Sequence, residues 1–197
     1  MAQVKKSHVR QAILDNAYRL FKKRGYVATT MAHITRAAGI SESNLYVYFD
    51  SKFEVLLALY EPWLRERIHR LEGKVESEKD PRRRLRIILT TLWRELPEDD
   101  NNFTNNLMQA LSTVAAGDDG HRPDLLRWTE SRIEALILTT LPKDRRDKFA
   151  NPGLAHILMM AQDGLAMNFR LNPHGSSVDG LIDIACHLIL GGSSSQD

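Results

Sequence analysis

The chain has 197 residues, of which 43% are hydrophobic and 26% charged, an ordinary composition for a globular protein. No apolar run reaches the roughly 18 residues that a transmembrane helix needs, and the start lacks the apolar segment of a secretion signal. We therefore expect a cytoplasmic protein without a membrane partner. Cys186 is the single cysteine, which excludes an internal disulfide and a cysteine-based zinc site.

The formal net charge is only +2, but the charge is unevenly distributed along the chain. Residues 1–52 contain nine Lys or Arg against three acidic residues, whereas the remainder contains 18 basic residues against 22 acidic ones. A basic N-terminal segment followed by an acidic remainder is typical of a protein that places one end against a polyanion.

The first predicted helix is amphipathic and ends at Gly25-Tyr26. Its apolar side is formed by Val9, Ile13, Leu14, Ala17, Leu20 and Phe21. A small domain needs three helices for a core, and this helix provides the first of them.

Residues 29–52 predict two short helices joined by a glycine turn. Thr30 is placed to cap the first of these helices, and Gly39 ends it, because glycine tolerates the left-handed backbone of a sharp turn. Ser41 is placed to cap the second helix. Leu45 and Phe49, four positions apart, would bury one side of this helix. The pattern is a helix-turn-helix, whose second helix enters the major groove of DNA. We therefore predict a DNA-binding domain over residues 1–52.

Seven residues in this motif are candidates for DNA contact. Asn44 has an amide that can bind a base edge, Ser43 can reach a base or a phosphate, and Val47 can touch a thymine methyl group. The groups suited to phosphates belong to Thr30, Tyr46, Tyr48 and Lys52. For the two tyrosines, core packing is the alternative.

The rest of the chain predicts helices throughout, so the expected fold class is all-α. A long helix from about Ser51 to Glu78 contains Pro62 and joins the N-terminal domain to the following helices. These are predicted over Asp80 to Leu96, 101–116, 123–141, 152–172 and 177–190. The second domain is assigned to residues 53–190, and the polar tail over 191–197 is predicted to be disordered.

The last two predicted helices are apolar on more than one face, so each needs more than one partner. A domain of this size encloses few helices completely, which favours a dimer interface over a buried position in a monomer core. The candidate interface residues are Leu158, Ala161, Leu165, Leu181, Ile184 and Leu188.

The run from Arg10 to Leu57 resembles the DNA-binding domain of the tetracycline-repressor (TetR) family. The matching positions are Ile13, Ala17, Phe21, Gly25, Tyr26, Thr29, Thr30, Met31, Ile34, Ala37, Ala38, Gly39, Ser41, Leu45, Tyr46, Tyr48, Phe49, Ser51 and Lys52. The family often has a small residue just before the Leu-Tyr pair, where this chain has Ser43-Asn44, so the resemblance does not supply the operator sequence.

The resemblance implies a dimeric transcriptional repressor that leaves a palindromic double-stranded DNA operator when a small-molecule effector binds its C-terminal bundle. It also implies that the two C-terminal helices of each chain pair in a four-helix bundle. Effector pockets are mainly apolar with a few polar anchors. The candidate lining residues, for each of which core packing is the alternative, are Trp93, Phe103, Met108, Trp128, Met159 and Asp163.

Two other kinds of function stay open. One is a constitutive DNA-binding regulator without a ligand, and the other is an all-helical enzyme whose helix-turn-helix is only scaffold. The sequence shows no motif of convergent acids, bases or nucleophiles, so we do not expect an enzyme. The histidines are scattered without the spacing of metal ligands, and neither a metal nor a cofactor is predicted.

Overall fold

The computed structural model describes five segments of the chain, which are residues 2–99, 102–113, 123–149, 153–171 and 177–191. Their regular secondary structure is entirely helical, which confirms the all-α fold class. None of the helices in these segments is long and apolar enough to span a membrane. The tail that the sequence predicts to be disordered lies, except for Gly191, outside the described residues.

In chain order the helices are α1 (Ala2–Arg24), α2 (Met31–Ala38), α3 (Glu42–Tyr46), α4 (Lys52–Ser77), α5 (Pro81–Thr90), α6 (Leu96–Glu98), α7 (Phe103–Thr113), α8 (Pro123–Thr140), α9 (Lys143–Phe149), α10 (Gly153–Leu171) and α11 (Val178–Leu190). A π-helical turn, Thr91–Glu95, joins α5 to α6. The predicted helices over 123–141 and 152–172 therefore end within a few residues of the observed α8 and α10.

The chain divides into two compact units. The first unit comprises residues 1–64 and 100–121, and the second comprises residues 65–99 and 122–197. Helix α4 contributes its first half to the first unit, and α7 belongs to that unit as well. The assignment of DNA binding to residues 1–52, and of effector binding and dimerisation to residues 53–190, stays a prediction.

An apolar core holds the first unit together. Ile13 of α1, Ile34 of α2 and Leu45 of α3 are fully buried in it. Phe103 and Ala110, both on α7, are buried in the same core. Helix α7 is therefore part of the unit that carries the helix-turn-helix, although it follows α3 by more than 50 residues.

The helix-turn-helix forms with the capping contacts that its sequence predicts. The hydroxyl of Thr30 accepts a hydrogen bond from the His33 backbone N–H at 3.1 Å, and His33 Nδ1 accepts one from the Thr30 backbone N–H at 3.3 Å. Gly39 ends α2 with a left-handed φ of 67°. Ser41 Oγ then accepts the Asn44 backbone N–H at 3.2 Å and caps α3.

The second unit is a helical bundle in which α5 packs against α8 and α11, and α8 packs against α10. The second half of α4 belongs to the same unit. The π-helical turn lies against α10, where the buried Trp93 donates its Nε1–H to the Leu158 carbonyl at 3.0 Å. Glu95, in the same turn, accepts hydrogen bonds from Lys74 Nζ at 2.7 Å and from the Thr91 hydroxyl at 2.8 Å. These bonds fasten α4 to the turn.

Helix α9 is absent from the sequence prediction because its residues, Lys-Asp-Arg-Arg-Asp-Lys-Phe, have almost no apolar side. Its role is polar instead. The Arg145 guanidinium donates to the carbonyl oxygens of Leu188 at 3.0 Å and Ile189 at 2.9 Å. Carbonyls in the last turn of a helix have no intrahelical partner, so Arg145 caps the C-terminus of α11.

Gly25 and Gly39 both have left-handed backbone, with φ of 77° and 67°. A Cβ at Gly39 would meet nothing within 4 Å, whereas one at Gly25 would lie 3.1 Å from Gln109 Oε1. We expect Gly39→Ala to lower the free energy of unfolding by about 1 to 2 kcal/mol through backbone strain. Gly25→Ala should cost about 1 kcal/mol more, because Gln109 must move and give up a hydrogen bond. Urea unfolding tests this difference, and equal losses would contradict it.

Candidate DNA-binding site

Helix α3 has one buried side and one solvent side. Leu45 is fully buried and Phe49, just after the helix, is 4% exposed. On the opposite side Tyr46 is 49% exposed and Val47 is 70% exposed, and Ser43 is exposed as well. Three of the predicted DNA-contact residues therefore lie on a side of α3 that no other described helix of the first unit covers.

Two further predicted contacts, Asn44 and Tyr48, are half-buried. The Tyr48 ring packs against the core of the first unit, as the core-packing alternative anticipated for one of the tyrosines. The Ser43 hydroxyl lies 3.0 Å from the Ser41 hydroxyl, so these two groups form a hydrogen bond at the start of α3. Ser43 thus has a fixed position next to the cap of the helix.

Thr30 is exposed at the N-terminus of α2. Its hydroxyl oxygen accepts the His33 backbone N–H, which uses a lone pair and leaves the hydroxyl hydrogen as a donor. Thr30 can therefore cap α2 and donate to a phosphate oxygen at the same time.

Lys52 lies at the start of α4, and its ammonium group is already engaged. Its Nζ donates to the carbonyl oxygens of Tyr26 and Thr29, both at 2.7 Å, and lies 4.0 Å from the centre of the Tyr26 ring. Burial lowers the pKa of the Lys52 ammonium and raises the pKa of the Tyr26 hydroxyl. An ammonium has three N–H donors, so one remains for the phosphate contact that the sequence predicts.

The six candidate pocket residues divide between the two units. Phe103 and Met108, on α7, belong to the first unit, where Phe103 is a core residue and Met108 is 37% exposed. The other four belong to the second unit and are Trp93, Trp128, Met159 and Asp163.

The four candidates in the second unit have different environments. Trp93 is buried, Met159 is half-buried, and Asp163 is exposed, although the protein around its carboxyl group still raises its pKa. Trp128 is half-buried, with the Arg65 guanidinium 4.2 Å from its ring centre. This cation–π contact occupies one face of the indole.

An aromatic cluster in the first unit was missing from the sequence prediction. The Trp63 ring centre lies 5.7 Å from that of Tyr60 and 5.4 Å from that of Phe103. Asn106, one turn after Phe103, is 1% exposed, and its Oδ1 has no hydrogen-bond partner among the described residues. Tyr60 and Trp63, one turn apart on α4, are a sequence signal for an aromatic cluster. Their partner Phe103 lies on α7, about 40 residues further along the chain, and no local pattern connects it to them.

The second unit also contains a cleft of about 350 Å³ beside the π-helical turn. Charged side chains dominate its lining, and they pair with one another. Arg67 lies 3.0 Å from Asp99, and Lys74 lies 2.7 Å from Glu95. This cleft therefore differs in character from the apolar pocket that the sequence predicts.

The candidate interface residues on α10 and α11 are not equally accessible. Ile184 and Leu188 are 58% and 68% exposed, whereas Leu158 is 4% exposed and already buried within the single chain. Ala161, Leu165 and Leu181 are half-buried. Among the side chains of α10 whose burial the structure describes, Ile157, Met160 and Met167 are also more than half exposed.

Known proteins resemble this chain in its N-terminal segment and in its fold. Residues 13–59 match the family model described as "Bacterial regulatory proteins, tetR family". The nicotine-responsive transcriptional repressor HdnoR of Paenarthrobacter nicotinovorans is 23% identical over 181 residues, which are 88% of this chain and 92% of HdnoR. The transcriptional repressor KstR2 of Rhodococcus jostii is 35% identical, over 46% of this chain and 45% of KstR2.

Among solved structures, the transcriptional regulator FadR of Bacillus subtilis, in complex with stearoyl-CoA, has a TM-score of 0.67. It is 16% identical to this chain, with 92% of this chain and 98% of that chain covered, so the likeness concerns the fold. Residues 13–59, which match the family model, contain α2 and α3 with all of their capping residues. The N-terminal part of the chain, residues 13–59, is therefore similar to the tetR family of bacterial regulatory proteins.

Lys52→Met keeps the apolar stem of the side chain and removes both hydrogen bonds to the loop. We expect the free energy of unfolding to fall by about 1 to 2 kcal/mol, because two loop carbonyls lose a charged donor. Lys23→Met, at an exposed position near the end of α1, is the control and should stay within about 0.5 kcal/mol of the native protein. Urea unfolding measures both, and equal stabilities of the two variants would contradict the structural role of Lys52.

Proposed function

We propose that this protein is a dimeric transcriptional repressor that binds a palindromic DNA operator and releases it when a small molecule binds. The observation that carries this proposal is the solvent side of α3, where Ser43, Tyr46 and Val47 are exposed around a helix fixed by the buried Leu45. A recognition helix reads base edges with its exposed residues near its N-terminus.

The charge distribution supports binding to DNA at this end of the molecule. The first 52 residues contain nine basic residues and three acidic ones, although the net charge of the whole chain is only +2. Such a basic segment provides the sequence-independent attraction to phosphates. Within it, we assign base contacts to Asn44 and Val47, and a base or phosphate contact to Ser43. The phosphate contacts are assigned to Thr30, Tyr46, Tyr48 and Lys52.

The exposed apolar side chains on α10 and α11 support a homodimer. Ile157, Met160, Met167, Ile184 and Leu188 are each more than half exposed. Exposed apolar side chains that recur along one side of a helix are typical of interaction sites. A two-fold dimer presents two recognition helices to the two halves of a palindrome, about 34 Å apart. We therefore assign this surface to a second copy of the chain.

Release by a small molecule is supported by two similar proteins. HdnoR is named as nicotine-responsive, and the FadR structure contains stearoyl-CoA. Because those ligands differ chemically, they support an effector without naming it. Trp93, Trp128, Met159 and Asp163 remain our assignment for effector contacts within the second unit. Phe103 and Met108 remain our assignment within the first unit, where the aromatic cluster around Phe103 is an apolar environment.

A gel-shift experiment tests the proposal against its alternatives. The native protein is mixed with DNA from upstream of its own gene and with a random-sequence duplex, with and without metabolites from a cell extract. Specific binding that the extract weakens supports a ligand-released repressor. Binding that the extract leaves unchanged supports a constitutive regulator, and the absence of specific binding supports the scaffold alternative.

Since bacterial DNA is cytoplasmic, the proposal also assigns the protein to the cytoplasm.

Asn44→Ala tests the base contact. We expect the preference for operator over random duplex to fall by about 1 to 3 kcal/mol, the usual contribution of one good base contact. Tyr46→Phe removes a phosphate donor while keeping the ring, so both affinities should fall by a similar factor. Titrations at one salt concentration measure the ratio, and an unchanged ratio for Asn44→Ala would refute this placement of the recognition surface.

Leu188→Glu tests the dimer surface. A carboxylate in a closed apolar interface is strongly unfavourable, so we expect a folded monomer in place of the dimer. Leu126→Glu, on α8, introduces the same charge at a position that is 48% exposed, and should leave the dimer intact. Sedimentation velocity distinguishes the species, and a Leu188→Glu variant that stays dimeric would exclude this surface.

A further inference from the structure

The loop between α1 and α2 leads directly to Thr30, the residue that caps α2 and is assigned a phosphate contact. Lys52 holds this loop from one side through the Tyr26 and Thr29 carbonyls. Within the loop, the Thr29 hydroxyl donates to the Gly25 carbonyl at 2.8 Å, and the Thr29 backbone N–H donates to the Tyr26 carbonyl at 3.2 Å. Thr29 is fully buried. The loop is therefore a closely connected segment, and a displacement at one of its residues reaches Thr30.

Helix α7 holds the same loop at another residue. The backbone N–H of Val27 donates to Gln109 Oε1 at 3.1 Å, although the two residues are 82 positions apart. The Gln109 amide also lies against Gly25, since a Cβ there would be 3.1 Å from Oε1 and 3.4 Å from Nε2. The missing side chain at Gly25 thus makes room for the amide that accepts the Val27 N–H.

We propose that Gln109 is a positioning residue for DNA binding, which holds the α1–α2 loop in the arrangement that presents Thr30 and the start of α2. The inference rests on the proposed function, because it takes Thr30 and α3 as the DNA-contact residues. Gln109 itself touches the loop through Val27 and Gly25 and acts through Thr30. Its contribution is the acceptor at Oε1, so a substitution that keeps an acceptor there preserves the effect.

The design uses one variant without the acceptor and one with it. Gln109→Met has a similar length and no carbonyl, whereas Gln109→Glu keeps an oxygen at the same position. Because Gln109→Glu adds a negative charge near DNA, Leu111→Glu is its control. Leu111 lies on the same helix and is 49% exposed, so this control adds the charge without an acceptor for Val27. If Gln109→Met fails to fold, Gln109→Asn shortens the side chain by one methylene and removes the same contact.

The first measurement is amide hydrogen exchange by NMR on the full chain, without DNA. We expect the Val27 amide to exchange several-fold faster in Gln109→Met than in the native protein, and to be protected again in Gln109→Glu. Unchanged exchange of Val27 in Gln109→Met would overturn the proposal, because the bond would then not hold the loop.

The second measurement is affinity for DNA. The probes are a duplex that the native protein selects from a random pool and an unselected duplex of the same length. We expect Gln109→Met to weaken binding of the selected duplex by about three- to tenfold, the scale of one hydrogen bond, with a smaller change for the unselected duplex. Gln109→Glu should bind the selected duplex more tightly than Leu111→Glu does.

The outcomes separate this inference from the proposed function. If the native protein enriches no sequence from the pool, the proposed function fails, and the positioning role fails with it. If the native protein selects a duplex and Gln109→Met binds it with native affinity, the positioning role alone fails. Faster Val27 exchange together with a specific loss of affinity supports both.

Discussion

Helices α2 and α3 are eight and five residues long, and helices of that length are not stable in water by themselves. Their stability therefore depends on burying Ile34 and Leu45 against α1, α4 and α7, where both side chains are fully enclosed. This burial fixes which side of α3 is turned to solvent. The surface that we assign to DNA is the side that the core leaves exposed, so the packing that makes the motif stable also orients its recognition residues.

The loop before α2 imposes a second requirement, because its backbone carbonyls need hydrogen-bond donors once they are enclosed. Lys52 meets this requirement for Tyr26 and Thr29 with two of its three donors. The same side chain is the one that the motif assigns to a phosphate. In the DNA complex that we propose, a single ammonium therefore serves both the loop and a phosphate, and a substitution at this position changes both. The effect of such a substitution on DNA affinity has to be judged against its effect on stability.

Local sequence signals predicted the helix-turn-helix well, because caps and turns depend on residues a few positions apart. Thr30, Gly39 and Ser41 each have the role that the sequence suggested. Contacts between distant residues were not predictable in the same way. The Gln109 bond to Val27 and the placement of Phe103 in the first unit depend on packing, which no periodicity within α7 reveals. Helix α9 was missed for a different reason, since a polar helix held by Arg145 lacks an apolar pattern.

Helix α11 has one buried side and one side that no described part of the chain covers. One side of it is buried, with Ile182 and Cys186 inside the second unit, and Asp179 at its start pairs with Arg94 at 2.5 Å. The other side leaves Ile184 and Leu188 in water. Removing apolar surface from water is favourable by about 25 cal/mol of free energy per Å². The exposed side chains at these positions therefore favour a partner with a similar apolar surface. In the dimer that we propose, a second copy provides such a surface by symmetry, and the two copies together carry two recognition helices for the proposed palindromic operator.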